Sequence, residues 1–132
     1  MLYKPELRKK MRLQRKALHR DAIESASDAI AAQVVLLNAF IDSQTIAIYW
    51  PHENEVDTQP IIHAAFQQQK TVLLPVVPSG ESRELSFYPY RPGASLQRDR
   101  FGILMPELVP EAALAPASID LVFSPLVAFD AQ

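Results

Sequence analysis

At 132 residues, with 48% hydrophobic and 21% charged side chains, the chain suits one α/β domain over residues 1–132 and has an ordinary soluble, globular make-up. It contains no cysteine, which excludes disulfides, zinc–thiolate sites and thiol nucleophiles; it has no apolar run long enough for a bilayer, and its opening MLYKPELRKK is no signal peptide, so no membrane association and a cytoplasmic location are expected. Net charge is only −2, yet eight of the thirteen Lys and Arg residues fall in the first twenty positions, opposed there by Glu6 alone, which points to an anionic partner: nucleic acid, membrane or a nucleotide's phosphates.

Residues 4–18 read as a helix with Leu7, Met11 and Leu18 on one face and Lys4, Arg8, Arg12 and Arg15 as a neighbouring basic stripe. A second helix is predicted over 22–40. Asp21 and Glu24 resemble a capping box, and Ile23, Ala26, Ile30, Val34, Leu37 and Ile41 form an apolar stripe. A β-branched and aromatic strand follows at 45–50 and runs into Pro51. The next helix is predicted to start at Thr58 as N-cap, with Pro60 in its first turn, and to end near Lys70. Residues 71–74 form a strand closed by Pro75. Residues 85–88 form a weaker strand, which Pro89 marks as an edge. Residues 91–118 are expected to be mostly loop, with one helical turn near 110–114, and 119–123 reads as a buried strand.

This order implies α/β layering with a mostly parallel sheet, and in such sheets ligands bind beyond the carboxyl ends of the strands. The stretch YWPHENEVDTQPII crowds His52, Glu53, Asn54, Glu55 and Asp57 at one such end. The plainer reading is that acidic residues decorate a helix N-terminus, where each is worth about 0.3–1 kcal/mol. Glu55, however, stands three residues before the expected N-cap, better placed to receive donors from a ligand. A carboxylate accepts paired N–H bonds, as on the amidine-like edge of a pterin or guanine, and Trp50 offers a flat face beside it, unless it is simply a core aromatic. Lys4 and Arg8 sit one turn apart at a helix start, which suits phosphate, although a solvated basic face is the commoner meaning of such a run. Nucleic acid is disfavoured by a sequence pI near 5.9 and by few interleaved aromatics. His52 and Ser124 stand in no catalytic pattern. The three glycines, Gly80, Gly93 and Gly102, form no phosphate loop.

Four stretches taken together, KPELRKKMRLQRKAL, IAIYWPHENEVDTQPII, KTVLLPVV and IDLVFSPLVAFD, resemble the 5-formyltetrahydrofolate cyclo-ligase (5,10-methenyltetrahydrofolate synthetase) family in order and spacing over nearly the whole chain. The resemblance implies a Rossmann-like three-layer α/β fold and an ATP- and Mg²⁺-dependent ring closure on a small-molecule folate. In that chemistry the N5-formyl oxygen attacks the γ-phosphate, N10 attacks the activated carbon, and phosphate leaves. It implies ATP contacts at Lys4 and Arg8 and folate contacts at Trp50 and Glu55; no catalytic or metal-ligating residue is assigned. Family members continue past AFD into a Gly-, Arg- and Tyr-rich nucleotide motif, and Met105 stands where Glu is usual. The expectation is therefore a fold incomplete at its C-terminus, an inactive or impaired fragment, and association through an exposed C-terminal edge in place of a monomer. The alternative is a non-catalytic module whose basic first helix docks on nucleic acid or a protein.

Overall fold

The computed structural model describes residues 3–77, 84–109 and 112–130. The elements are α1 (Lys4–Lys16), α2 (Arg20–Val34), α3 (Asn38–Ile41), β1 (Thr45–Ile48), α4 (Gln59–Gln67), β2 (Thr71–Val76), β3 (Ser86–Tyr90), β4 (Leu96–Arg98), β5 (Leu104–Pro106) and β6 (Leu121–Phe123), with a 3-10 turn at Pro116–Ser118. Four strands form one sheet in the order β3-β2-β1-β6. β1 is parallel to both β2 and β6, and only β3 runs antiparallel. The chain is thus a mixed α/β protein with a mostly parallel sheet, as its alternating elements imply. No helix among the described residues is long and apolar enough to cross a membrane.

Alternation along the strands builds the core. Ile46 and Ile48 of β1 and Val72 and Leu74 of β2 pack with Ala31 of α2, Phe40 of α3, and Ile61, Ile62 and Ala65 of α4. Ala47 and Leu73, which alternate with them, are buried as well. Lys70 is a buried lysine. Its Nζ donates to the carbonyls of Ile41 (3.1 Å) and Ser43 and sits 5.1 Å from the Phe40 ring centroid, so it fastens the end of α3 to the start of β2.

The structure departs from the sequence reading where small or polar residues decide the packing. The single helix expected over 22–40 is two, α2 and α3, separated at 35–37. The cap of α2 is His19, whose Nδ1 accepts from the Asp21 amide at 3.3 Å, so the cap lies two residues before the Asp21 box. The buried face of α2 is Ser27 and Ala31, not the predicted aliphatic stripe: Ile30 is 39% exposed. Close approach explains this, because the Ser27 hydroxyl accepts from the Asp57 amide at 2.8 Å and only small side chains fit that contact. β2 does not close at Pro75. Its pairing with β1 ends at Leu73, but it continues beside β3, with Pro75 opposite Phe87 and Val76 opposite Ser86. β3 carries Pro89 at the sheet edge, as read. β6 is shorter than predicted and is not a buried strand; lying outermost beside β1, it leaves Val122 57% exposed.

Part of the expected loop at 91–118 is the β4–β5 hairpin. The Asp99 carboxylate accepts from the Phe101 and Ile103 amides (2.8 and 3.0 Å), and Gly102 takes a φ of +78° that glycine allows at no steric cost. The helical turn expected near 110–114 falls partly outside the described residues.

Candidate functional site

The acidic stretch after β1 is a tight turn. Glu53 and Asn54 both adopt left-handed backbone (φ +48° and +61°), and the Glu55 amide donates to the His52 carbonyl at 3.2 Å, the pattern of a type I′ turn. Asparagine tolerates this region; glutamate does so less readily, so the surroundings must hold Glu53 there. One fastening is internal, since Glu55 Oε1 accepts from the His52 amide at 2.8 Å.

The other fastening is α1. The last turn of any α-helix leaves carbonyls without intrahelical partners. Asn54 Nδ2 faces those of α1, at 3.2 Å from Arg15 O, 3.2 Å from Lys16 O and 3.5 Å from Leu18 O. In return Arg15 Nε donates to Glu53 O at 2.9 Å, and Lys16 Nζ pairs with Glu53 at 3.4 Å. The Lys16 ammonium holds the Glu53 carboxyl below its ordinary range. Glu53 and Asn54, in the cluster that looked like decoration of the following helix, therefore fasten the first one instead. α4 is capped separately: Asp57 Oδ1 accepts from the Gln59 amide (2.9 Å), while Thr58, at the expected N-cap position, donates its hydroxyl to Tyr49 O (2.8 Å). Glu55 and Asp57 thus have different roles: Asp57 caps α4, and Glu55, set apart by its distance from the N-cap, accepts from the His52 amide within its own turn.

The four residues singled out in the sequence fall into two pairs. Trp50 and Glu55 line one open groove of about 980 Å³, shared with Asp28, Asp57, Arg20 and His63. Trp50 is half-buried and meets the Tyr90 ring edge-on at 5.7 Å, so it has a packing role as well as a face at the groove. Lys4 and Arg8 line a second cavity of about 440 Å³ with Leu7 and residues 125–128. Glu55 and Arg8 do not line a common cavity. Between them lies a third, largely apolar one of about 420 Å³, bordered by Arg15, Tyr49, Glu55, Ile30, Val34 and Phe123. It shares Glu55 with the first groove, and Pro125 and Leu126 with the second. Ile30 of α2, which misses the core, and Val34, which packs at its margin, both border this space.

Tyr49 stands at its floor. Burial first, then the Glu55 and Asp57 charges, push its phenol up to about 12, against an opposing pull from Arg15. It is thus a fixed donor, and its hydroxyl donates to Val56 O at 3.1 Å. Chemically, the cleft offers a carboxylate with one oxygen engaged by backbone and the other available, an aromatic face, an apolar middle and a cationic far end. Neither Lys4 nor Arg8 makes an ion pair with a described residue, which suits them to a phosphate-bearing ligand. No group of three or more metal-ligating side chains lies together among the described residues.

Sequence reasoning missed Asn54, Arg15 and Tyr49, because each acts through contacts across the fold. It also missed a cavity of about 490 Å³ between β3 and the β4–β5 hairpin, lined by Tyr88, Arg98, Arg100, Phe101 and Met105. The Asp99-to-Gly102 turn signal could have revealed that hairpin.

The sequence profile of the 5-formyltetrahydrofolate cyclo-ligase family matches residues 1–132. Among curated relatives, the 5-formyltetrahydrofolate cyclo-ligase of Haemophilus influenzae is 34% identical over 88 residues, covering 67% of this chain and 47% of the relative. That of Escherichia coli K12 is 29% identical over 120 residues, covering 91% and 66%. The chain thus spans between about half and two thirds of the length of these relatives. The NMR structure of Aquifex aeolicus 5,10-methenyltetrahydrofolate synthetase superposes with a TM-score of 0.75 at 29% identity, over 92% of this chain and 59% of that one. A 5,10-methenyltetrahydrofolate synthetase from Mycoplasma pneumoniae shares the fold, with a TM-score of 0.72 at 24% identity, over 97% of this chain and 66% of that one.

Proposed function

The chain belongs to the 5-formyltetrahydrofolate cyclo-ligase family, and on that premise we propose that its cleft binds 5-formyltetrahydrofolate and ATP for closure to 5,10-methenyltetrahydrofolate, with release of ADP and phosphate. The observation that supports this most is the joining of α1 to the turn at 52–55. It sets the Lys4 and Arg8 cavity and the Trp50 and Glu55 groove on either side of one apolar space.

In this reading Glu55 receives the N–H donors of the pterin edge on the oxygen that the His52 amide leaves available, and Trp50 borders the ring. Tyr49 stays protonated and adds no charge beside that carboxylate. Lys4 and Arg8 neutralise phosphate oxygens at the start of α1, where unpaired helix amides favour anions. ATP supplies the phosphoryl group that makes the formyl oxygen a leaving group. The chain's contribution is orientation and charge stabilisation, the main levers in phosphoryl transfer. Mg²⁺ commonly keeps water and phosphate oxygens as ligands and takes only one or two carboxylates from protein, so it would enter on the triphosphate.

The test is calorimetric titration of the full chain with 5-formyltetrahydrofolate. Glu55→Gln keeps the shape and removes the charge, and should weaken binding by about tenfold or more, the usual worth of a hydrogen bond to a charged group. Unchanged affinity, or no binding by the unmutated chain, would overturn the assignment.

A further inference from the structure

The cationic pair and the carboxylate occupy different cavities, and no direct contact joins them. Something must fix their separation. α1 buries none of its residues, so apolar packing does not set its pose. Its recorded ties to the turn are polar and converge on two consecutive residues, Glu53 and Asn54. The Glu53 side chain meets Lys16 in solvent, a type of contact that salt screens and that holds geometry loosely. Asn54 differs. It offers its amide protons to Lys16 O, which accepts from no backbone amide among the described residues, and to Arg15 O, which also accepts from the Leu18 amide at 3.1 Å.

The choice of residue is constrained from both sides. The backbone at φ +61° favours Gly, Asn or Asp. Lys16 O at the end of α1 needs a donor, which Gly lacks and Asp reverses, since its carboxylate would face other oxygens. Asparagine alone among the residues that favour this backbone meets both demands. Glu55 follows directly in the chain, so whatever fixes Asn54 also fixes where Glu55 begins. Lys4 and Arg8 lie on the same helix as Arg15, with Arg8 about 10 Å from it along the axis. A small pivot at the C-terminal end of α1 therefore moves both cations.

We propose that Asn54 is a positioning residue: by capping α1 from the β1–α4 loop, it holds Lys4 and Arg8 at a fixed reach from Glu55. This rests on the functional reading above and goes beyond it: Asn54 borders the groove and the apolar cavity, but the role assigned to it acts through α1.

The experiment compares the full chain with Asn54→Gly, which keeps the left-handed backbone without the donor, and Asn54→Asp, which keeps it with the polarity reversed. Two readouts are taken: amide hydrogen exchange across α1 and β1, and the affinities for Mg·ATP and 5-formyltetrahydrofolate. Faster exchange confined to α1, with ATP binding about fivefold weaker or more and folate binding within about twofold, is expected for Gly, with a larger loss for Asp. Unchanged exchange in α1 would overturn the proposal. So would faster exchange with both affinities unchanged, or with both falling alike, since a purely structural cap gives no such split. If the unmutated chain binds neither ligand, the functional reading falls, while the exchange arm still decides whether Asn54 ties the helix.

Discussion

β1 and β2 bury Ile46, Ile48, Leu73 and Leu74 almost completely, whereas α1 buries none of its thirteen residues and has Met11 and Arg15 half-buried at most. The two regions answer to different forces. The sheet is held by apolar area removed from water, at about 25 cal/mol per Å², and this is insensitive to small polar changes. The first helix is held by a handful of hydrogen bonds to the turn at 52–55, each worth only about 0.5–1.5 kcal/mol net. Stability and site geometry are therefore separable: one can be damaged while the other is spared.

The strongest challenge to that separation is at the core. Phe40 is fully buried against both the sheet and the Lys70 ammonium, and Phe40→Ala should cost about 3–5 kcal/mol, read as a drop in the urea midpoint. A cost under about 1 kcal/mol would mean that α3 is not part of the cooperative core. Next is Asp120, where β6 joins β1. Its Oδ2 accepts from the Thr45 and Gln44 amides, both at 2.9 Å, and these bonds hold the carboxyl below its usual value. A depressed folded-state pKa stabilises the fold above the unfolded value, about 3.9, and that benefit fades as pH falls through the lower folded value. Asp120→Asn should be less stable at neutral pH and should lose less than the parent on acidification; parallel acid limbs in urea titrations would discount the pairing. The smallest effect belongs to the helix. Arg15→Met keeps the stem and removes the donor to Glu53 O, and should change global stability by about 0.5–1.5 kcal/mol. A loss as large as that of Phe40→Ala would put α1 inside the core and erase the contrast.

What could be read from the chain follows the same division. Runs of β-branched and aliphatic residues mark β1 and β2, and the aromatic run with Pro89 marks the β3 edge, because a pleated surface selects those residue types. Residues 22–40 misled, because the buried face of α2 is Ser27, which meets the Asp57 amide, and Ala31, which packs in the core, and their small size carries no periodic signal. Ile30 looked like core and instead faces the cleft, while Val34 borders the cleft and also packs against the core. Trp50 and Glu55 could be placed together because the chain brings them together. The tie from Asn54 to Arg15 spans 39 positions and depends on left-handed backbone, which no local pattern in a single sequence announces. β6 read as interior from its composition, and only the strand order reveals it as outermost.

Pro89 is the fourth of the five residues of β3, the outer antiparallel strand. A foreign segment trying to extend the sheet there would meet an interrupted row of donors, since proline has no amide hydrogen to offer. The fold thus carries on that flank a built-in resistance to fibrillar stacking, a safeguard independent of anything its cleft binds.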